Sequence, residues 1–313
     1  MKSVAIIIPC YNEAETIELY LDAMQAIEQA VSYHFNYLFI NDGSQDTTLK
    51  ILQNLAKAYS NVNYLSFSRN FGKEAALLAG LKTVSDELII VMDVDLQDPP
   101  ELIPKMLVQI EKGYDIVATR RKDRTGEPLF RSLAAKSFYY LINKISDTPI
   151  VDGARDFRLM NRQVVDSILK LDEVNRFSKG LFSWVGFDTY YIPYENHQRS
   201  AGKTSWSFWE IFKYSLEGIV NFSEAPLNIA TVTGFFSCLG AGGAMLYFFI
   251  TSLIDKNPVP GWPSLVCIIL FLGGMQLFCL GILGKYISKI FLEVKKRPSY
   301  IIKESSIKTK SII

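Results

Sequence analysis

The chain is poor in the residues that build most metal and redox centres. It has only two histidines, His34 and His197, far apart in sequence, which excludes a histidine-based metal site. Its four cysteines (Cys10, Cys238, Cys267 and Cys279) form no C-x-x-C pair. Three of them lie in apolar runs, where cysteine behaves as a small hydrophobe. Neither a zinc site nor a disulfide framework is expected, and the pattern fits a reducing compartment. Net charge is also nearly absent, at +1 over 313 residues, so no whole-chain field points to nucleic acid. The N-terminus carries one lysine and then a short strand-like run ending at Pro9, without the apolar length or cleavage site of a signal peptide. No G-x-G-x-x-G follows a strand, which leaves a dinucleotide fold unsupported. Gly202-Lys203-Thr204 imitates the end of a P-loop, but His197 stands where the first glycine is needed. No internal repeat is present.

Charge itself is missing from two long stretches, one between Glu224 and Asp255 and one between Lys256 and Lys285. Each can hold the roughly 20 apolar residues that cross a bilayer. They are expected to be two transmembrane helices joined by a short Pro/Gly-rich loop; the alternative is a pair of buried helices in a soluble core. Lys285, Lys289, Lys295, Lys296 and Arg297 follow the second stretch. The positive-inside rule puts that flank, and with it the N-terminal region, in the cytoplasm. Before the first span, residues 205–222 mix Trp206, Phe208, Trp209, Phe212 and Tyr214 with Glu210, Lys213 and Glu217. This reads as an amphipathic helix at headgroup level, or else as an ordinary surface helix. Gly240, Gly242, Gly243, Gly273 and Gly274 would permit the close helix packing of a homo-oligomer.

The first 200 residues alternate between two periods. Strands are expected at 3–9, 37–41, 62–67, 88–92, 115–119 and 190–194, and helices at 13–31, 46–59, 72–84, 100–112, 131–146 and 175–185. Residues 152–158 read as a polar segment, and the Lys/Ser-rich tail from Lys303 as disordered. Alternation at βαβ spacing implies an α/β fold with a mostly parallel sheet and helices on both faces.

One acidic stretch, Asp93-Val94-Asp95-Leu96-Gln97-Asp98-Pro99-Pro100, follows the apolar run Leu88 to Met92. Asp98 and the prolines read as a helix start, with Asp98 as N-cap. Asp93 and Asp95 then sit at the carboxyl end of a central strand, where open α/β sheets bind ligands. Two carboxylates this close repel unless a cation lies between them. Oxygen ligands favour magnesium or manganese, which favours a bound diphosphate. The alternative is a polar loop that only caps a helix. Two more polar clusters, Pro9-Cys10-Tyr11-Asn12-Glu13 and Asn41-Asp42-Gly43-Ser44, also end strands and should share that edge.

This constellation resembles the GT-A glycosyltransferases of glycosyltransferase family 2 over the first 200 or so residues. The phrases PCYNE, NDGSQDTT, SRNFGKEAALLAGL, DVDLQDPPE and RDFRLMNR, with two C-terminal spans, make it similar to polyprenyl-phosphate glycosyltransferases of the bactoprenol glucosyltransferase and dolichol-phosphate mannose synthase group. The resemblance implies a catalytic domain at 1–204, a juxtamembrane helix at 205–224, two spans at 225–290 and a basic tail at 291–313. It implies that Pro9, Tyr11, Asn12, Glu13, Asp42 and Asp93 bind the nucleoside. It further implies that Asp95 and Gln97, with Asp93, hold a divalent cation and that Arg120, Arg131, Arg199 and Lys203 bind phosphates. Arginine suits the phosphate role because its planar fork pairs with two oxygens. At Lys73 the group's pattern would have an uncharged polar residue; no role is expected there.

The resemblance makes Asp156 the catalytic base, alongside Asp95. A phosphate monoester with a second pKa near 6 is already mostly ionised at neutral pH, however, so a base is worth less than usual. Asp156 is expected to orient the acceptor phosphate or a partner arginine as well as taking any proton. The implied reaction moves one hexose, glucose or N-acetylglucosamine, from a nucleoside diphosphate sugar to polyprenyl phosphate, with inversion, at the cytoplasmic face of the plasma membrane. The base is uracil by resemblance, with guanine open. Two other readings stand beside it. A processive polysaccharide synthase would need more helices for a channel and a Gln-x-x-Arg-Trp motif. A non-catalytic sugar-nucleotide binder would have no use for a lipid-phosphate site.

Overall fold

The first strand, β1 (Lys2–Cys10), lies near the middle of the sheet, and residues Val4 to Ile8 in it are all fully buried. Successive residues face opposite sides of a strand, so five buried in a row require cover on both faces. Val4, Ile6 and Ile8 pack with α1 (Ile17–Gln29) through Ile17, Tyr20, Leu21 and Met24. Ile7 packs on the other face with α3 (Lys73–Thr83). The computed structural model describes residues 2–121, 143–144, 151, 153–194, 223–254 and 261–307.

The chain continues through β2 (Tyr33–Asn41), α2 (Thr48–Ala58), β3 (Val62–Phe67), α3, β4 (Leu88–Val91), a 3₁₀ turn (Pro100–Leu102), α4 (Ile103–Glu111) and β5 (Ile116–Arg121). Then come β6 (Ala154–Asn161), α5 (Arg162–Leu169), α6 (Ser178–Trp184), β7 (Thr189–Tyr194), α7 (Ala225–Ile254), α8 (Trp262–Lys295) and β8 (Ile302–Ser305). The sheet order is β7-β5-β6-β4-β1-β2-β3-β8. The β3-β2-β1-β4 part is parallel throughout, as expected, and so is the β5–β7 pair.

Several expectations need correction. Residues 154–161 form a strand, β6, paired antiparallel with both β4 and β5. The charges of Arg155, Asp156 and Arg158 hide its alternation, because its first half faces the site and only Phe157, Leu159 and Met160 join the core. The tail is not disordered at Lys303: β8 pairs antiparallel with β3, and Tyr300 stacks on Phe67 with ring centroids 5.1 Å apart. Asp98 makes no cap bond; Pro99 precedes the 3₁₀ turn and the Asp98 side chain points into the site. The expected helices at 131–146 and 205–222 lie wholly or mostly outside the described residues.

Among the described residues, two helices are long and apolar enough to cross a membrane, over Ala225–Ala244 and Ile268–Lys295, and neither window is buried within the protein. α7 and α8 touch through Ser237 Oγ to Met275 Sδ and Cys279 Sγ to the Ala230 carbonyl. The Tyr286 hydroxyl donates to the Ser223 carbonyl at 2.7 Å, closing the pair at its base.

α3 is apolar all round, with Ala75 to Leu81 buried, so it packs closely on the sheet. A Cβ added at Gly80 would lie 2.3 Å from Ile7 Cγ2. Alanine would gain about 1 kcal/mol in helix propensity. Overpacking against a branched side chain in a buried strand costs about 1–3 kcal/mol. Gly80→Ala is therefore expected to lower the thermal unfolding midpoint; an unchanged or raised midpoint would show that α3 can part from β1 without penalty.

Candidate active site

The loops after β1, β2 and β4 meet at one sheet edge because those strands run parallel. The first two are laced together. Asn12 N–H donates to Ser44 Oγ at 2.9 Å, and Gln45 N–H donates to Asn12 Oδ1 at 2.8 Å. Glu13 N–H reaches Thr48 Oγ1 at 2.9 Å, and Thr16 Oγ1 donates to the Glu13 carboxylate. Asn12 adopts a positive φ of 56°, which asparagine tolerates better than most residues. Tyr11 projects outward at 44% exposure, while Pro9 is half-buried at the end of β1.

Asp42 is buried and accepts the Phe71 and Gly72 amides at 2.7 and 2.8 Å. Burial raises its carboxyl pKa, and those two amides with Arg69 oppose the rise. Asp42 thus fixes the loop that leads into α3. Gly43 makes that approach feasible: at φ +67° a Cβ would sit 2.3 Å from the Arg69 carbonyl carbon.

The β4–β6 register pairs Val91 with Arg158. Continuing it by two residues sets Asp93 opposite Asp156. Like charges in that relation are destabilising. Lys73, the first residue of α3, lies between them. Its Nζ is 2.7 Å from Asp93 Oδ1 and 2.7 Å from Asp156 Oδ2. Burial disfavours the ammonium charge, yet Asp156 and Asp93 outweigh it and hold the lysine pKa well above its usual value. Burial likewise opposes the Asp156 charge; Lys73, then Lys179 and Arg158, hold that carboxyl well below the usual carboxylate range. Arg158 is buried with its guanidinium 3.6 Å from the Phe182 ring centroid, and burial pulls its pKa down to about 10.

Asp95 Oδ1 accepts the Gln97 amide at 3.1 Å, turning the chain through Leu96 at a φ of +54°. A branched apolar residue there stores roughly 1–3 kcal/mol of strain, of the kind that collects at functional loops. Gln97 Oε1 accepts from Arg155 Nη2 at 3.2 Å, and Arg155 Nε donates to Asp98 Oδ1 at 3.3 Å. The Tyr194 hydroxyl donates to the same Asp98 oxygen. Burial pushes the Asp98 carboxyl up, with Arg155 as the main opposing charge. β6 and β7 therefore hold the metal-candidate loop from behind.

Of the expected site residues, the sheet edge brings together Pro9, Tyr11, Asn12, Glu13, Asp42, Asp93, Asp95, Gln97 and Asp156. Arg120 is exposed near the end of β5, in register with Ala154. Arg131, Arg199 and Lys203 lie outside the described residues. Lys73, for which no role was expected, is central, and Arg155, Asp98 and Tyr194 were missed as a supporting group. The available signal at Lys73 was its place as a lone lysine ahead of a buried, Ala-rich helix. Nothing in the sequence links Tyr194 to Asp98, since the pairing arises only when β7 joins the sheet.

No group of three or more His, Cys, Asp or Glu side chains able to hold a metal occurs among the described residues. Asp95 offers the kind of oxygen donor that magnesium or manganese takes alongside substrate phosphates and water, while Lys73 holds both Asp93 oxygens and Arg155 holds Gln97 Oε1.

Residues 5–169 match the profile of glycosyl transferase family 2. CsbB of Bacillus subtilis strain 168 is 44% identical over 99% of this chain and 94% of its own length. The bactoprenol glucosyl transferase of Shigella phage SfII is 43% identical over 96% of this chain and 98% of its own. Among solved structures, the glucosyl-3-phosphoglycerate synthase of Mycobacterium tuberculosis aligns over 70% of this chain and 78% of its own, with a TM-score of 0.47 and 19% identity. With more than half of the residues under the profile and relatives matching nearly end to end, the chain belongs to glycosyltransferase family 2.

Proposed function

We propose that the chain transfers one glucose from a UDP-linked donor to polyprenyl phosphate at the cytoplasmic membrane face, inverting the anomeric carbon. The observation that carries this reading is the Asp93–Lys73–Asp156 bridge, which holds carboxylates from two separate elements on one ammonium; Asp93 is read as the donor-side group and Asp156 as the acceptor-side group. Three further facts support it. The catalytic sheet is continuous in sequence with two apolar helices. The relative from phage SfII is named a bactoprenol glucosyl transferase, and so is a prophage homolog in Escherichia coli K12 that is 42% identical over 96% of this chain. A long polyprenol leaves the bilayer only at great cost, so the active site has to be held near the headgroups.

The chain's own residues divide the work. Pro9, Tyr11, Asn12, Glu13 and Asp42 form the nucleoside side of the edge. Asp93 gives both its oxygens to Lys73 and Gln97 Oε1 accepts from Arg155, so Asp95 is the better-placed metal ligand, with Gln97 joining it once released from Arg155. A magnesium or manganese ion bound there would neutralise diphosphate charge as the leaving nucleotide departs. Lys73, Lys179 and Arg158 surround Asp156 with positive charge. An incoming phosphate anion would meet compensated rather than bare carboxylate. Arg120, with Arg131, Arg199 and Lys203, would take the remaining phosphate oxygens. Attack by the lipid phosphate in line with the departing diphosphate is a single displacement, hence inversion. Most of the acceleration then comes from positioning and charge compensation.

Asp156 itself is a poor proton acceptor, because its carboxyl is held well below the usual range. A carboxylate with a depressed folded pKa adds stability that is full above the unfolded value, about 3.9, and lost only as pH falls through the lower folded value. Asp156 should therefore stay ionised from pH 5 to 8, with no acid limb of the rate assignable to it. Asp156→Asn is expected to lower kcat by a similar factor, about 100-fold or more, at every pH in that window. A loss that shrinks to a few-fold at pH 8, where the acceptor phosphate is fully ionised, would instead restore a base role.

The donor and metal are tested together. Purified protein, labelled UDP-glucose, UDP-N-acetylglucosamine and GDP-mannose, and polyprenyl phosphate vesicles are incubated with magnesium, with manganese or with chelator. One labelled glucose per lipid is expected from UDP-glucose, abolished by chelator and reduced about 100-fold or more in Asp95→Asn. Long polymer, or donor binding without transfer, would overturn the reading.

A further inference from the structure

A five-residue segment, Val174 to Ser178, is held at one end by the second apolar helix and at the other by the active site. Val174 and Asn175 donate their backbone amides to the Glu293 carboxylate at 3.0–3.1 Å. The Asn175 side chain is gripped at both ends. Its Nδ2 donates to Glu293 Oε1 at 3.0 Å, and its Oδ1 accepts from Lys289 Nζ at 3.2 Å. Lys289 and Glu293 are one turn apart near the end of α8, so they present a matched donor and acceptor. Arg176 then closes the segment onto α5, donating to the Leu171 and Ile168 carbonyls at 2.5 and 3.4 Å.

At the far end, Ser178 is buried and opens α6. Its amide donates to both Glu74 oxygens at 3.0–3.1 Å, and its hydroxyl donates to the same carboxylate. Glu74 follows Lys73, the residue that bridges Asp93 and Asp156. Phe182 of α6 lies under the Arg158 guanidinium, and Lys179 adds to the field at Asp156. Two carboxylates from distant elements thus satisfy backbone donors in one short segment. Unmade bonds to such donors are costly, so the segment cannot shift against either end without penalty.

We propose that Glu293 is a positioning residue: through Asn175 and Ser178 it seats Glu74, and with it the Lys73 bridge, at a set place over the base of α8. The inference rests on the transfer reading above, because only a bilayer-borne acceptor makes the height of the site over a membrane helix matter. Glu293 touches neither substrate; it acts through the segment. The second contact of the α8 base with the sheet, Tyr300 on Phe67 followed by β8, leaves the helix attached when Glu293 is removed. The variant therefore probes position rather than attachment.

The test uses the full chain in phosphatidylcholine nanodiscs containing polyprenyl phosphate. Glu293→Ala is expected to lower kcat about tenfold, a size that a small misplacement of reacting groups accounts for, and to leave the KM for the nucleotide sugar within about twofold. Glu293→Gln, which keeps one acceptor oxygen, should fall between it and the unaltered protein. Amide hydrogen exchange should quicken at 174–178 and also at Ala75 to Leu78, the head of α3. Faster exchange confined to 174–178 with kcat unchanged would overturn the proposal. So would a parallel loss of kcat and donor affinity with a lowered unfolding midpoint, which marks a merely structural residue. If the unaltered protein transfers no sugar, the transfer reading fails, and exchange at the head of α3 still decides the coupling.

Discussion

Two carboxylates and one ammonium set the geometry from which the site is built. Asp93 lies two residues beyond the end of β4 and Asp156 in the first half of β6, and the two carboxylates alone would repel each other. Lys73 makes the arrangement tenable. Its own position depends on the turn into α3, where Gly72 takes a φ of 96° and Asp42 holds the Phe71 and Gly72 amides. It also depends on how closely α3 lies on β1, which the absence of a side chain at Gly80 permits. The loop after β4, the head of α3 and strand β6 therefore converge on a single nitrogen.

Burial has opposite outcomes for two carboxylates of the site, Asp98 and Asp156. Asp98 is raised by burial, with one main positive neighbour, Arg155. Asp156 is lowered despite burial because three positive side chains surround it. The first is suited to holding Arg155 and Tyr194 in place. The second is held as an anion. Their different charged neighbours separate the two.

The apolar helices are more than an attachment in sequence. The segment beyond α8 returns to the sheet as β8, covering the edge that β3 would otherwise expose, and the Tyr64 hydroxyl and Gln53 amide both reach Glu304. An unpaired edge invites association with other chains. Here the edge is used to tie the helix base to the catalytic core, and Glu293 and Lys289 provide a second tie beside α6.

Much of this was legible in the chain before any coordinates. Continuous apolar runs ending in Asn41-Asp42-Gly43 and Asp93-Val94-Asp95 report strands buried on both faces with polar ends, since period and charge are local properties. The two charge-free stretches report helices suited to a membrane for the same reason. Strand β6 was not legible, because Arg155, Asp156 and Arg158 disguise a half-buried strand as a polar loop. Nor was the end of the tail, whose lysines and serines conceal a strand made stable by its partner, β3. The role of Lys73 was decided only by tertiary structure. A lysine ahead of an Ala-rich helix is unremarkable in sequence, and becomes the centre of the site once antiparallel pairing brings two carboxylates from residues 93 and 156 within reach of one ammonium.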